Sequence, residues 1–150
     1  MEVEVTNQES KKPFIEGEKM KTFISELLDA LKSKIDEGKD IVEKEVIPIV
    51  RDWITIATDT IKTPVVLKEV EFLTKDELVA IVKDNIVPGS NGNIVYKKMF
   101  KDGTISILIS YLKDNAFLPV EKNVNVNINA EGISRDVKEM FGNKDIIILK

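Results

Sequence analysis

The chain contains neither cysteine nor histidine. These absences exclude cysteine nucleophiles, serine–histidine pairs, histidine general bases, disulfides, and zinc sites built from thiolate or imidazole. Any catalysis would have to run on carboxylate, Lys, Tyr, Ser or Thr groups, or on a hard cation held by oxygen. A group titrating between about pH 5 and 8 would have to be a perturbed residue or the N-terminus. Arginine is almost missing as well. Arg51 and Arg135 are the only two, so an arginine clamp on phosphate would need both, from distant segments. Long apolar runs are also lacking. Ile105 to Leu112 and Ile146 to Leu149 are strand-sized, against the roughly 18 apolar residues of a membrane-spanning helix. The opening Met1-Glu2-Val3-Glu4-Val5 carries acids where a secretory leader needs positive charge. A cytoplasmic location is the expectation, and membrane association is disfavoured.

What is present suits a single globular domain. A chain of 150 residues can bury a real core, and 43% apolar with 32% charged residues is the balance of a folded protein rather than a disordered one. Its 22 basic residues are outnumbered by 26 acids, for a net charge of -4. The lysines alternate with acids along most of the chain, which is not the clustered basic footprint of a nucleic-acid binder. Lys97, Lys98 and Lys101 are the nearest to a basic patch, but Lys97 and Lys98 are adjacent in a strand pattern and point to opposite faces. The richness in Lys, Asn and Ile is the usage of an AT-rich genome, such as that of a low-GC bacterium or its phage.

Residues 1–15 mix polar types without period and read as a flexible tail, with a short strand at Val3 and Val5 as the alternative. From Gly17 to Glu37, Met20, Phe23, Ile24, Leu27, Leu28, Leu31 and Ile35 recur at spacings of three and four. They make one apolar stripe on an amphipathic helix, stopped at Gly38. Asp40 with Glu43 reads as a capping box for a second helix running to about Lys62. Val42, Val46, Ile49, Val50, Trp53, Ala57 and Ile61 share one face of it. Ile47, Ile54 and Ile56 broaden that face, so this helix is expected to be the more buried of the two. Pro48 lies inside the pattern and predicts a kink.

After Thr63-Pro64 the pattern changes. Val65 to Phe72 is a strand with Val66, Val70 and Phe72 on one face. Thr74-Lys75-Asp76-Glu77 is a capping box opening a helix to about Asn85, followed by a loop at Pro88 to Gly92. Asn93 to Phe100 and Thr104 to Leu112 form a hairpin across Asp102-Gly103, where glycine would supply the positive φ of a primed turn. Tyr96 and Tyr111 fall on its two strands as possible packing partners. Asp114-Asn115 opens another turn. Asn123 to Ala130 alternates strictly, with Val124, Val126 and Ile128 on one face and Asn123, Asn125, Asn127 and Asn129 on the other. Ser134 caps a short helix to about Phe141, and Ile146 to Leu149 is a last strand. No internal repeat is evident.

The fold class that follows is α+β in one domain spanning residues 16–150: a helical hairpin over about 17–63, packed on a mixed or antiparallel sheet of about four or five strands within about 65–150. No motif names a catalytic residue, a cofactor or a metal. The acids around Asp36, Glu37, Asp40, Glu43 and Glu45 lack the order of a calcium loop. The loop Pro88 to Asn93 follows a helix rather than preceding one, so it makes no phosphate cradle.

The expectation is therefore a small non-catalytic binding or assembly protein acting through a protein partner or a homo-oligomer. The candidate interface residues are Phe23, Leu27 and Leu31 on the first helix, Ile47, Ile54 and Ile56 on the second, and Asn123, Asn125 and Asn127 on the strand. The plainer explanations are core packing for the helices and a solvated strand face for the asparagines. Two alternatives belong to other classes. One is a magnesium-type enzyme drawing on some of Asp36, Asp40, Asp76, Asp102 and Asp114. The other is an amphipathic membrane-surface or pore-forming protein.

Overall fold

A computed structural model describes the backbone of residues 17–59, 65–119 and 122–150, and their side chains apart from those of residues 17–23, 25 and 57–59. Helix α1 (Gly17–Asp36) is followed by a 3-10 turn (Lys44–Val46) and α2 (Ile47–Asp59). Strand β1 (Val65–Leu73), α3 (Lys75–Asp84), β2 (Gly92–Met99), β3 (Ile105–Lys113), β4 (Ala116–Phe117), β5 (Asn125–Ile133), α4 (Arg135–Phe141) and β6 (Ile146–Leu149) complete the described chain. The class is α+β, with a mixed sheet in the order β1-β5-β3-β2-β6 and β4 added to β3. Only β1 and β5 pair in parallel.

Local sequence signals set most of these elements. At the end of α1, Gly38 adopts φ 77, its N–H donates to Ile35 O, and the Lys39 N–H reaches Lys34 O. This is the paired closure that a left-handed glycine permits. The Thr74 hydroxyl accepts from the Glu77 N–H while the Glu77 carboxylate accepts from the Thr74 N–H, so the expected capping box starts α3. In the β2–β3 hairpin, Gly103 carries φ 92 but Asp102 does not carry a positive φ. The Gly103 N–H donates to Phe100 O, so glycine follows an ordinary turn instead of sitting inside a primed one. The primed geometry occurs at the next connection. Asp114 and Asn115, with φ 51 and 65, join Lys113 to its partner Ala116.

The second helix differs from expectation. It restarts at Ile47, so Pro48 lies in its first turn rather than kinking a longer helix. Proline is tolerated there because a first-turn N–H has little or no helical acceptor to lose. Asp40 caps nothing and pairs with Lys144 instead. The chain from Thr60 to Pro64, and the tail over residues 1–15, lie outside the described residues.

Alternation sends the residues of each inner strand to two cores. On one face Ile94, Tyr96, Leu108 and Ile146 meet the stripe of α1 and Val50 and Trp53 of α2. On the other, Val95, Ile107, Ile109, Val126 and Ile128 meet Leu78 of α3 and Val137 and Phe141 of α4. Each fully buried aliphatic contributes about 1.5–3 kcal/mol of transfer free energy, and α1 alone places Ile24, Leu27, Leu28 and Leu31 in this condition. Tyr96 and Tyr111 lie in different cores, on opposite faces of the sheet, and are not packing partners.

The parallel pair reveals a correspondence too faint to read in the sequence. Val65 pairs with Asn125 and Leu73 with Ile133, so partners stand sixty positions apart throughout. Each strand runs directly into a hydroxyl N-cap, Thr74 or Ser134, and then a helix. The Ser134 N–H donates to Leu73 O, tying the two strand–cap–helix units side by side.

Candidate functional site

Helix α3 presents two apolar stripes. Leu78, Ile81 and, in part, Val82 pack on the core beneath. Val79, Val82 and Ile86, at spacings of three and four, are left half-exposed or exposed, with Ile86 at 62%. Lys75 and Lys83 lie along the same side. Met140 and Phe141 at the end of α4 bring further apolar surface, and Ile147 and Leu149 of β6 supply a floor. Together these residues line a groove of about 840 Å³, within the size range of binding clefts. Its second lip is Glu43, Glu45 and Val46, from the 3-10 turn in the helical layer on the other side of the sheet. A groove bounded by both layers and by all of β6 must open at the free edge of that strand.

The hydrogen-bonding state of that edge follows from ladder parity. In an antiparallel pair, alternate residues direct N–H and C=O toward the partner and away from it. The Lys97 N–H donates to Asp145 O, and the register pairs Val95 with Ile147 and Asn93 with Leu149. The odd-numbered residues of β6 therefore serve β2, and Ile146 and Ile148 face outward. The Ile146 N–H is taken by Ile41 O at 3.2 Å. The N–H and C=O of Ile148 have no partner among the described residues.

Charges around the groove divide by lip. Lys144 is held by Asp40 at 2.5 Å, and Lys150 donates to Asn115 at 2.9 Å. That pairing keeps the Asp40 carboxyl below its usual range and Lys144 above its own, through the hydrogen bond and the opposite charge. Among the described residues Lys75 and Lys83 form no ion pair, so the α3 lip carries free positive charge. Under the groove the Tyr111 hydroxyl donates to Val82 O at 2.6 Å. Burial pushes it up to about 12, so at neutral pH it is a fixed donor and not an acid. The arrangement can hold an apolar, partly anionic object, and it presents no nucleophile with an adjacent base.

The sequence-derived candidates lie elsewhere. Leu27, Leu31 and Ile54 are buried in the core between the helical hairpin and the sheet. Ile47 is half-buried against that core and Ile56 is half-buried; the Phe23 side chain lies outside the described residues. The described part of the α1 stripe, Ile24 to Ile35, is buried, while α2, expected to be the more buried helix, keeps Ile47, Ile49 and Ile56 half-buried beside buried Val50, Trp53 and Ile54.

The asparagine face is also interior. Asn123, Asn125 and Asn127 are buried, Asn127 at 0% exposure. Its amide donates to Ser106 Oγ at 2.8 Å and Ile107 O at 3.2 Å, while the Asn123 amide donates to Tyr111 O. The Asn127 amide cross-links β5 to β3, and Asn123, just ahead of β5, ties the incoming chain to β3.

The aspartates named for a metal enzyme have separate duties. Asp36 faces Arg51, Asp40 faces Lys144, Asp102 accepts from Thr104, Asp114 accepts from Asn91, and Asp76 stands in the first turn of α3. Among the described residues, no three His, Cys, Asp or Glu side chains gather as a metal site requires. No described helix is long and apolar enough to cross a membrane.

The groove residues do not stand out in the sequence, where Leu78, Ile81, Val82 and Ile86 fall at the helical spacing of a single inward face. The one available signal was the width of that apolar arc, too broad for a helix covered on one side only. No family model matches the chain, and neither a curated protein nor a solved structure shows significant similarity to it.

Proposed function

We propose that this chain is a non-catalytic binding protein that works through protein–protein contact, with the groove along β6 as its docking surface. The observation that supports this reading is an apolar groove that follows a strand edge unpaired among the described residues, with Val79 and Val82 half-exposed and Ile86 exposed along it. Exposed apolar surface rimmed by charge is the usual mark of a contact site. Panning a random peptide-display library against the immobilised chain tests it. The expected result is enrichment of a defined sequence class, lost when Val79 and Ile86 are both changed to Glu. No enrichment, or enrichment indifferent to that double change, would remove the groove from consideration. Light scattering at high concentration separates the kinds of partner: a strictly monomeric species leaves a different protein as the occupant, and a concentration-dependent oligomer points to a second copy.

A further inference from the structure

Resting on that reading, we infer that the groove takes its partner as an added β-strand: an extended segment with the pattern acid–x–apolar–x–acid, laid antiparallel or parallel against the free edge of β6. The backbone argument comes first. Ile148 turns outward, along the groove, an N–H and C=O that have no partner among the described residues, and an extended segment can take up both in main-chain hydrogen bonds. A helix, whose own backbone groups are internally satisfied, would leave the edge of Ile148 unpaired.

The charge argument fixes the pattern. Lys75 and Lys83 are eight residues apart on α3, about 12 Å along the helix axis. Between them lies the apolar stretch of Val79 and Val82. In a strand, residues two apart share a face, and residues four apart on that face are separated by about 13 Å. The spacing of the two lysines therefore matches that of two acids four apart on one strand face, with an apolar residue midway to match the valines. The alternate residues of the same strand face the other lip, where Glu43 and Glu45 disfavour further acids and favour apolar or basic side chains. The Ile41 O to Ile146 N–H bond already occupies one end of the edge, so the added strand pairs from Ile148 toward Lys150.

The test uses a fluorescein-labelled synthetic peptide carrying one acid–x–apolar–x–acid motif with basic residues at the x positions, titrated into the full chain and read by anisotropy. Saturable binding is expected, weakened at least tenfold by Lys75→Glu with Lys83→Glu and by raising salt. Ile148→Pro deletes the outward N–H while sparing the ladder to β2, and proline is tolerated at such edge positions. It should abolish binding. A peptide N-methylated at alternate residues reports the same contact without altering the protein, so a misfolded Ile148→Pro variant does not decide the matter. If the peptide fails to bind, or binds equally well when N-methylated, strand addition is wrong. If a peptide from the display selection binds as a helix and ignores Ile148→Pro, the groove stands as a docking surface and the strand assignment falls.

Discussion

Two tyrosines show how much a single polar atom can alter the meaning of one substitution. Tyr111 and Tyr96 are both fully buried, but Tyr111 donates to Val82 O while the Tyr96 hydroxyl has no partner among the described residues. Tyr111→Phe is expected to cost about 1 kcal/mol, because it strands a buried carbonyl. Tyr96→Phe removes an orphaned group and is expected to be neutral or stabilising. Urea unfolding of the two variants, at constant m-value, reads the difference directly. Asn127 combines both cases in one side chain, since its amide nitrogen makes two hydrogen bonds and its Oδ1 makes none among the described residues. At this scale the sequence misled. Strict alternation implies that the polar side of a strand faces water, and nothing in Asn127 discloses that Ser106 and the Ile107 carbonyl await it on a neighbouring strand.

Elements governed by neighbours in sequence were legible, and those governed by distant contacts were not. The α1 stripe, the Thr74–Glu77 box, the Asp102-Gly103 connection and the Ser134 cap all rest on residues within a turn or two of each other, and all occur where their local chemistry places them. Pro48 was misjudged because a proline looks the same whether it kinks a helix or begins one; the expected cap, Asp40, pairs instead with Lys144, 104 residues away. The groove was invisible for the same reason, since it is built from α3, α4, β6 and the 3-10 turn together. Pro48→Ala should be close to neutral, whereas relief of a mid-helix proline would stabilise by about 3 kcal/mol. Thr74→Ala should destabilise by about 1 kcal/mol through loss of the box. Thermal unfolding of both variants distinguishes a first-turn proline from a kink.

For the whole molecule, the lack of histidine becomes a statement about pH. Asp40 and Asp102 are depressed in the folded state, Asp40 by Lys144 and Asp102 by hydrogen bonds from Thr104. Their contribution is therefore present above about pH 4 and is lost as pH falls through the lower folded values. Tyr111, raised to about 12 by burial, and Tyr96, raised by burial and then by the charge of Asp145, act at the other end. The stability they supply is complete below about pH 10 and is lost as pH rises toward their folded values. Denaturant midpoints should form a plateau across roughly pH 5 to 9, with falling flanks on both sides; a step near pH 6.5 would contradict this picture.

The parallel pairing of β1 has a consequence for assembly of the fold itself. β1 is held in the sheet only by β5, and the sixty-residue offset means that the β2–β3 hairpin lies inside the loop their pairing closes. Hairpins form from near neighbours, but this closure must wait for the chain between to be gathered in. β1 thus cannot join β5 before the intervening chain is gathered in. In that interval β5 exposes a free edge of its own, a second opening that exists only while the chain is folding.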